Sequence, residues 1–467
     1  MANVKFEKFL DRISYKWDVL STEWEYKQER VNGGIILLVV AFITLLIANS
    51  PLKGWYDELL SKPLMLVVGD YNLLESHHGP MTFLDFINDG LMTIFFFSVG
   101  LEIKREILVG ELHSLKKAML PIIAAVGGML IPVMIFFALA PSDPEYITRG
   151  CAIPMATDIA FSLGVLSLLG SRVPKSLKIF LATLAVADDI GGILVIATCY
   201  SSGLEWNYFL LALIPLTLLY AGGRLRIYNW LFYIFCGFLT WYFFVHWGVH
   251  ATIAGVIVAF MIPAHHREDV AKVVDKVKTI LQNFPENKHS HIPVEMLTRS
   301  EVKLLVELER TADHVISPLQ RIDKALQPII NMVVMPIFAF ANAGVTLGGL
   351  SVNAMLGVSL VIAIALCFGK TIGIFTFTWI SIKSGWINMP KGMNLKNLLG
   401  LSMLGGIGFT VSLFIANLSY GNYSADILNQ AKFGIICGSI ISGIVGYCVL
   451  NKVLPKADVK SNGESEE

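Results

Sequence analysis

Twelve stretches of about 17–25 predominantly apolar residues divide this chain, and they constrain its fold more than any other feature. They lie near residues 34–50, 86–102, 119–140, 150–170, 178–200, 207–221, 228–245, 249–263, 328–345, 354–382, 397–418 and 431–453. Backbone in hydrocarbon must satisfy its own hydrogen bonds, so runs of this length read as membrane-spanning helices. The predicted fold is an all-α polytopic membrane protein of about twelve spans. Composition agrees: 55% of the 467 residues are hydrophobic, only 15% are charged, and mean hydropathy is +0.63. A soluble chain would carry about 25% charged residues. The formal net charge is zero, so no basic field points to nucleic acid.

The charges fall in the gaps between spans, and unevenly. Lys104, Arg105, Lys116 and Lys117 follow the second span, Arg172, Lys175 and Lys178 the fourth, Arg224 and Arg226 the sixth, and Lys383, Lys391 and Lys396 the tenth. The alternate loops "SSGLEWNY", "VHWG" and "LGGLSVNAM" have none. Short basic loops stay inside, which predicts both termini on the cytoplasmic side of the membrane. Residues 1–33 form a polar N-terminal segment without the pattern of a signal peptide, so the mature chain is expected to start near Met1. The domain from 34 to 453 holds two excursions. Residues 60–82 alternate apolar and polar around "VGDYN" and predict an outside β-hairpin, and residues 264–327 predict a helical cytoplasmic insertion. The tail from 454 to 467 reads as disordered. All six cysteines lie in or beside apolar runs without a C-x-x-C pair, and read as small packing residues.

Five ionisable residues sit at membrane depth: Asp89, Asp158, Asp188, Asp189 and Lys370. An aspartate there costs about 2.5–3.5 kcal/mol if it faces lipid. Such groups therefore face a bundle interior or a water-filled cavity, find partners, and mark ion pathways. Asp188 and Asp189 are adjacent, hence about 100° apart on a helix. One is expected to reach into a cavity while its neighbour approaches another helix, with Lys370 as the candidate partner.

Two spans look interrupted. Pro154, Thr157 and Asp158 break the fourth, in "IPMATDIAFSLG", and Gly405, Gly406 and Gly408 weaken the eleventh, in "MLGGIGFTVSLFIA". Both are the middle member of a triplet, three-four-five and ten-eleven-twelve, which suggests inverted repeats. Interrupted helices at matching positions point to a transporter's binding site. They also expose helix dipole ends, so Asp158 is expected to face N-termini and Lys370 C-termini.

The segments "MATDIAFSLGVLSLLGSRVP", "LAVADDIGGILVIA", "GVHATIAGVIV", "PIFAFANAGV", "GKTIGI" and "GGIGFTVSLFIA", in this order, resemble the NhaA family of bacterial Na+/H+ antiporters. That family is itself among those from which the interrupted-helix rule was drawn. The resemblance implies that Asp188 and Asp189 bind both the cation and the protons, as ligands of transported Na+. It implies that Thr157 and Asp158 sit where the two discontinuous helices, fourth and eleventh, cross, and that Lys370 is the charge-compensating lysine. Glu102, Lys104, Arg105, Glu106, His250 and Asp323 match positions of pH response; the family has glutamate in place of Asp323. The 60–82 hairpin resembles the family's homodimer contact. The insertion is longer than the connection the family implies there.

Na+ is a hard cation that seeks oxygen ligands, and ionised carboxylates hold it best. Protons and Na+, with Li+ as a second candidate, then compete for the same oxygens. The function expected is secondary active antiport by alternating access, electrogenic if both acids change protonation for each Na+. No enzyme activity and no cofactor are expected. ATP drive is not, since no G-x-x-x-x-G-K-[ST] pattern occurs. The alternatives are a passive cation channel, or an intramembrane aspartyl protease in which two acids share a proton. A retinal protein built on Lys370 is opposed by the span count.

Overall fold

The computed structural model describes residues 33–65, 67–68, 71–72, 75–76, 79–140, 145–200, 205–225, 227, 229–265, 270–282, 299–313, 316–348, 355–385, 387, 389–390 and 392–455. The N-terminal segment, but for Gly33, and the tail beyond Pro455 lie outside the described residues. The helices in chain order are α1 (Gly33–Ala48), α2 (Lys53–Ser61), α3 (Phe83–Leu108), α4 (Leu115–Leu139), α5 (Ile159–Ser167), α6 (Lys175–Cys199) and α7 (Trp206–Arg224). They continue with α8 (Trp230–Trp247), α9 (Ala251–Met261), α10 (Val270–Gln282), α11 (Arg299–Asp313), α12 (Pro318–Asn342) and α13 (Gly357–Lys383). The last three are α14 (Leu395–Leu404), α15 (Phe409–Tyr420) and α16 (Ala425–Val453). A 3₁₀ segment, Glu145–Met155, leads into α5.

Among the described residues eight helices are long and apolar enough to cross a membrane, or up to eleven if each of three bent pairs is one span. The bent pairs are α1 with α2 (110°), the 3₁₀ segment with α5 (41°) and α14 with α15 (45°). The α9 helix is apolar but only 11 residues long. Both interruptions expected from proline and glycine are therefore present, and each joins two short helices at an unwound stretch. The fold is the all-α polytopic membrane class expected from the hydropathy.

Packing divides the helices into two bundles. In one, α3 lies along α9, α8 on α7 and α9, and α12 on α1 and α3; in the other, α4 lies along α13 and α6, while α14, α15 and α13 pack on α16. Glycines permit a close approach between α4 and α13. A Cβ on Gly373 would come within 2.1 Å of the Gly127 carbonyl oxygen, and one on Gly369 within 2.8 Å of Pro132 Cα. Gly369 and Gly373 form a G-x-x-x-G pattern around Lys370, which draws that lysine's backbone against α4.

Two boundaries differ from the sequence reading. The span placed at 328–345 begins instead at Pro318, inside the stretch assigned to the insertion. Ser317 and Gln320 form a capping box with Pro318 in the first turn, a strong helix start that Arg321, Asp323 and Lys324 disguise as polar loop. Leu319 N donates to Pro263 O (3.3 Å), pinning the two ends of the insertion together. Among its described residues the 60–82 excursion holds two short antiparallel pairs: β1 (Val67–Val68) with β2 (Tyr71–Asn72), and β3 (Glu75–Ser76) with β4 (Gly79–Pro80). A bridge between Pro63 and Thr82 closes its base.

Candidate ion-binding site

The two unwound stretches meet face to face. Asp158 N donates to Ile407 O (2.7 Å), and the Thr157 hydroxyl lies 2.9 Å from Gly405 O. The Asp158 carboxylate binds the start of both short helices that leave the breaks. Oδ1 accepts from Phe161 N (3.0 Å) in α5, and Oδ2 accepts from Thr410 N (3.1 Å) and the Thr410 hydroxyl (2.6 Å) in α15. One carboxylate thus satisfies orphan donors on two helices whose positive dipole ends converge on it. Thr410, in the first turn after the glycine-rich break, was missed; a hydroxyl at that position was its only signal.

The paired aspartates lie on α6 beside this junction, and both are buried. Asp188 Oδ2 accepts from Lys370 Nζ (2.5 Å) and from the Thr157 hydroxyl (2.6 Å), while Lys370 Nζ also lies 2.9 Å from Thr157 Oγ1. Thr157 has one proton for two acceptors, Asp188 Oδ2 and Gly405 O, so it can switch between carboxylate and helix end. Lys370 is wholly buried and reaches Asp188 and Thr157. The expectation that it faces helix C-termini directly is corrected: Thr157 stands between it and Gly405 O, the C-cap carbonyl of α14. Asp188 Oδ1 is buried and accepts no hydrogen bond from the described residues. Asp189, one residue on, has Asp188, Asp158 and Glu102 as its acidic neighbours and Lys370 as the opposing charge.

A π-turn, Ala365–Gly369, immediately precedes Lys370 in α13. Extra residues of this kind re-aim the side chains that follow, and they recur at functional sites. Among the described residues no group of three or more His, Cys, Asp and Glu side chains is placed to hold a metal ion. What the site offers a hard cation is the unbonded Asp188 oxygen, the adjacent Asp189 carboxylate and the Thr157 hydroxyl. A proton-sharing protease dyad needs two carboxylates facing one another; here Asp188 is held by a lysine and a threonine.

The remaining residues implied by the resemblance fall in two places. Arg105 pairs with Asp323 (2.6 Å), Glu102 (3.8 Å) and Glu106 (4.0 Å), where α3 meets the start of α12. Lys104 caps the end of α9, donating to Phe260 O (2.8 Å) and Ile262 O. Glu106 Oε2 accepts from Glu111 N (3.0 Å). His250 lies away from this cluster, at the opposite end of the α3–α9 pair, with Nδ1 3.0 Å from Thr252 Oγ1 and Nε2 3.6 Å from Asp89 Oδ1. The charge of Glu102 also acts on Asp189.

Comparison with known proteins converges on the same chemistry. The profile of a family described as "Na+/H+ antiporter 1" matches residues 25–450. A protein of Bacteroides thetaiotaomicron named Na(+)/H(+) antiporter NhaA is 50% identical over 438 residues, covering 94% of this chain and 98% of that protein. One of Bacteroides fragilis with the same name is 49% identical, over 94% of this chain and 99% of its own length. One of Saccharophagus degradans, named Na(+)/H(+) antiporter NhaA 1, is 39% identical over 97% and 98%. With acids, lysine and unwound helices assembled at one buried junction and the match running nearly end to end, this chain belongs to the NhaA family of Na+/H+ antiporters, which are secondary transporters and not enzymes.

Proposed function

We propose that this chain carries Na+ out of, and H+ into, a bacterial cell across its cytoplasmic membrane, by exposing Asp188 and Asp189 alternately to the two sides. In this reading the fourth and eleventh of twelve spans cross at their breaks, and both termini are cytoplasmic. The observation that carries it is the Asp188 carboxylate. One oxygen is held by Lys370 and Thr157 while the other is buried without a hydrogen-bond partner among the described residues, beside a second acid. Loss of protons from the pair leaves oxygens that attract a hard cation. Arrival of Na+ competes with Lys370 for Asp188, and return of protons displaces the ion.

Two protons for each Na+ would move net charge, so membrane potential as well as the proton gradient would drive transport. Li+ fits the same oxygens as a second cargo. The Arg105–Asp323 cluster, with Glu102, Lys104 and Glu106, and separately His250, are the candidates for setting pH dependence. The 60–82 excursion is the candidate homodimer contact. Residues 1–33 and the insertion that begins at 264 and ends before the helix start at Pro318 are assigned to the cytoplasmic side.

Purified protein in proteoliposomes with an imposed pH gradient tests this reading. Na+ added outside should collapse the gradient, choline should not, and an imposed potential should change the rate. Na+ flux without any counterflow of protons would instead make the protein a passive channel.

A further inference from the structure

The two bundles meet along a seam whose two ends differ in chemistry. On the side where α3 and α5 run toward their C-termini, apolar side chains pack across the seam. Val99 and Ile103 of α3 pack on Val186 of α6, and Gly34 of α1 lies against the backbone of α5, where a Cβ would sit 3.2 Å from Ala160 O. The other end is polar and specific. Asn417 Nδ2, on α15, donates to Asn342 Oδ1 (2.5 Å) at the end of α12, and Asn342 Nδ2 donates to Asn88 Oδ1 (2.9 Å) in the π-turn of α3. Asn342 is wholly buried.

Two further contacts join the same pair of bundles at this end. Thr346 N donates to Asn429 Oδ1 (3.0 Å), and Asn429 Nδ2 to Thr346 O (2.9 Å). One turn back from Asn417, the Phe414 ring of α15 packs against the rings of Phe96 of α3 (5.6 Å), Phe338 of α12 (6.5 Å) and His250 before α9 (5.3 Å). Thr410, which holds Asp158, lies seven residues before Asn417 on α15, about 10 Å along the axis.

We propose that Asn417 and Asn342, with Asn88 behind them, form a latch that closes the transport path on the outer side, and that exchange requires this amide pair to part and re-form. A buried amide pair suits a latch. Its bond is directional, and opening it leaves polar groups that need water, which an opening path admits. The apolar contacts at the other end lack that directionality and can slide. Asn342 and Asn417 are positioning residues, acting on the exposure of Asp188 and Asp189 and not on the ion. The assignment of this end as outer rests on the orientation and alternating access proposed above.

The test uses the full chain in oriented proteoliposomes and reads the apparent KM for Na+ from each face. A ligand sees only the fraction of protein open to its side. Losing one buried hydrogen bond from the outward-closed state should lower the outer KM relative to the inner by roughly fivefold in Asn417→Ala. Asn342→Ala should act in the same direction, and the double variant should add little to either single one, because each already removes the Asn417–Asn342 bond that joins the bundles. Asn417→Ser, small and polar, serves if alanine fails to fold. An unchanged KM ratio in an active variant overturns the latch, whether or not its melting temperature falls. Failure of the unaltered chain to move protons in response to Na+ would instead overturn the antiport reading.

Discussion

Asp188 and Lys370 are both fully enclosed and 2.5 Å apart, so neither charge is tolerable alone. Removing one partner of a buried ion pair costs about 3–5 kcal/mol, because the other stays charged in low dielectric or must change protonation. Lys370→Ala should therefore lower thermal stability strongly and abolish exchange. Lys370→Arg keeps the charge on a larger, planar group and should retain the fold with reduced transport. Thermal unfolding in detergent checks both, and an unchanged midpoint in the alanine variant would mean that the pair does not support the fold. At this scale much was legible. An acid or lysine within twenty apolar residues announces itself by its cost in hydrocarbon. Thr410 and the Gly405 and Ile407 carbonyls did not, because hydroxyls and backbone are common in membrane helices and gain significance only from what faces them.

The interrupted helices were visible through Pro154 and the glycines at 405, 406 and 408, residues that weaken a helix on local grounds. Their mutual contact was not, since it joins backbone about 250 positions apart (|i−j| = 252 for Asp158 and Thr410). Asp158 supplies the link, accepting three hydrogen bonds from the starts of α5 and α15. Asp158→Ala should therefore reduce stability and transport together, by roughly 2–4 kcal/mol at two helix ends and three hydrogen bonds partly replaced by water. Asp158→Asn, which retains an acceptor, should lose less. Differential scanning fluorimetry beside a transport assay measures this, and full activity with unaltered melting in the alanine variant would show that the helix ends need no counter-charge. The start of α12 was hidden for another reason. A capping box and Pro318 mark it locally, but the polar face of its first turns carries Arg321, Asp323 and Lys324, which hydropathy alone reads as loop. The π-turns of α3, α12 and α13 leave no comparable mark in the sequence.

Across the molecule, the division into two bundles is what gives the site a mechanism. The acids, the lysine and the unwound helices all belong to one bundle. The Arg105–Asp323 cluster belongs to the other and bears on the site through the charge of Glu102, which acts on Asp189 without a contact between them. Motion of one bundle against the other can expose the acids without dismantling the junction that holds them. The central claim is that protons and Na+ occupy the same two carboxylates in turn. Proton release on adding Na+ to the purified, lightly buffered protein tests it most directly. The unaltered chain should release protons in fixed proportion to Na+ bound, and Asp188→Asn and Asp189→Asn, folded as judged by melting, should release none. Saturable Na+ binding with no proton release from the unaltered chain, or undiminished release from either variant, would contradict it.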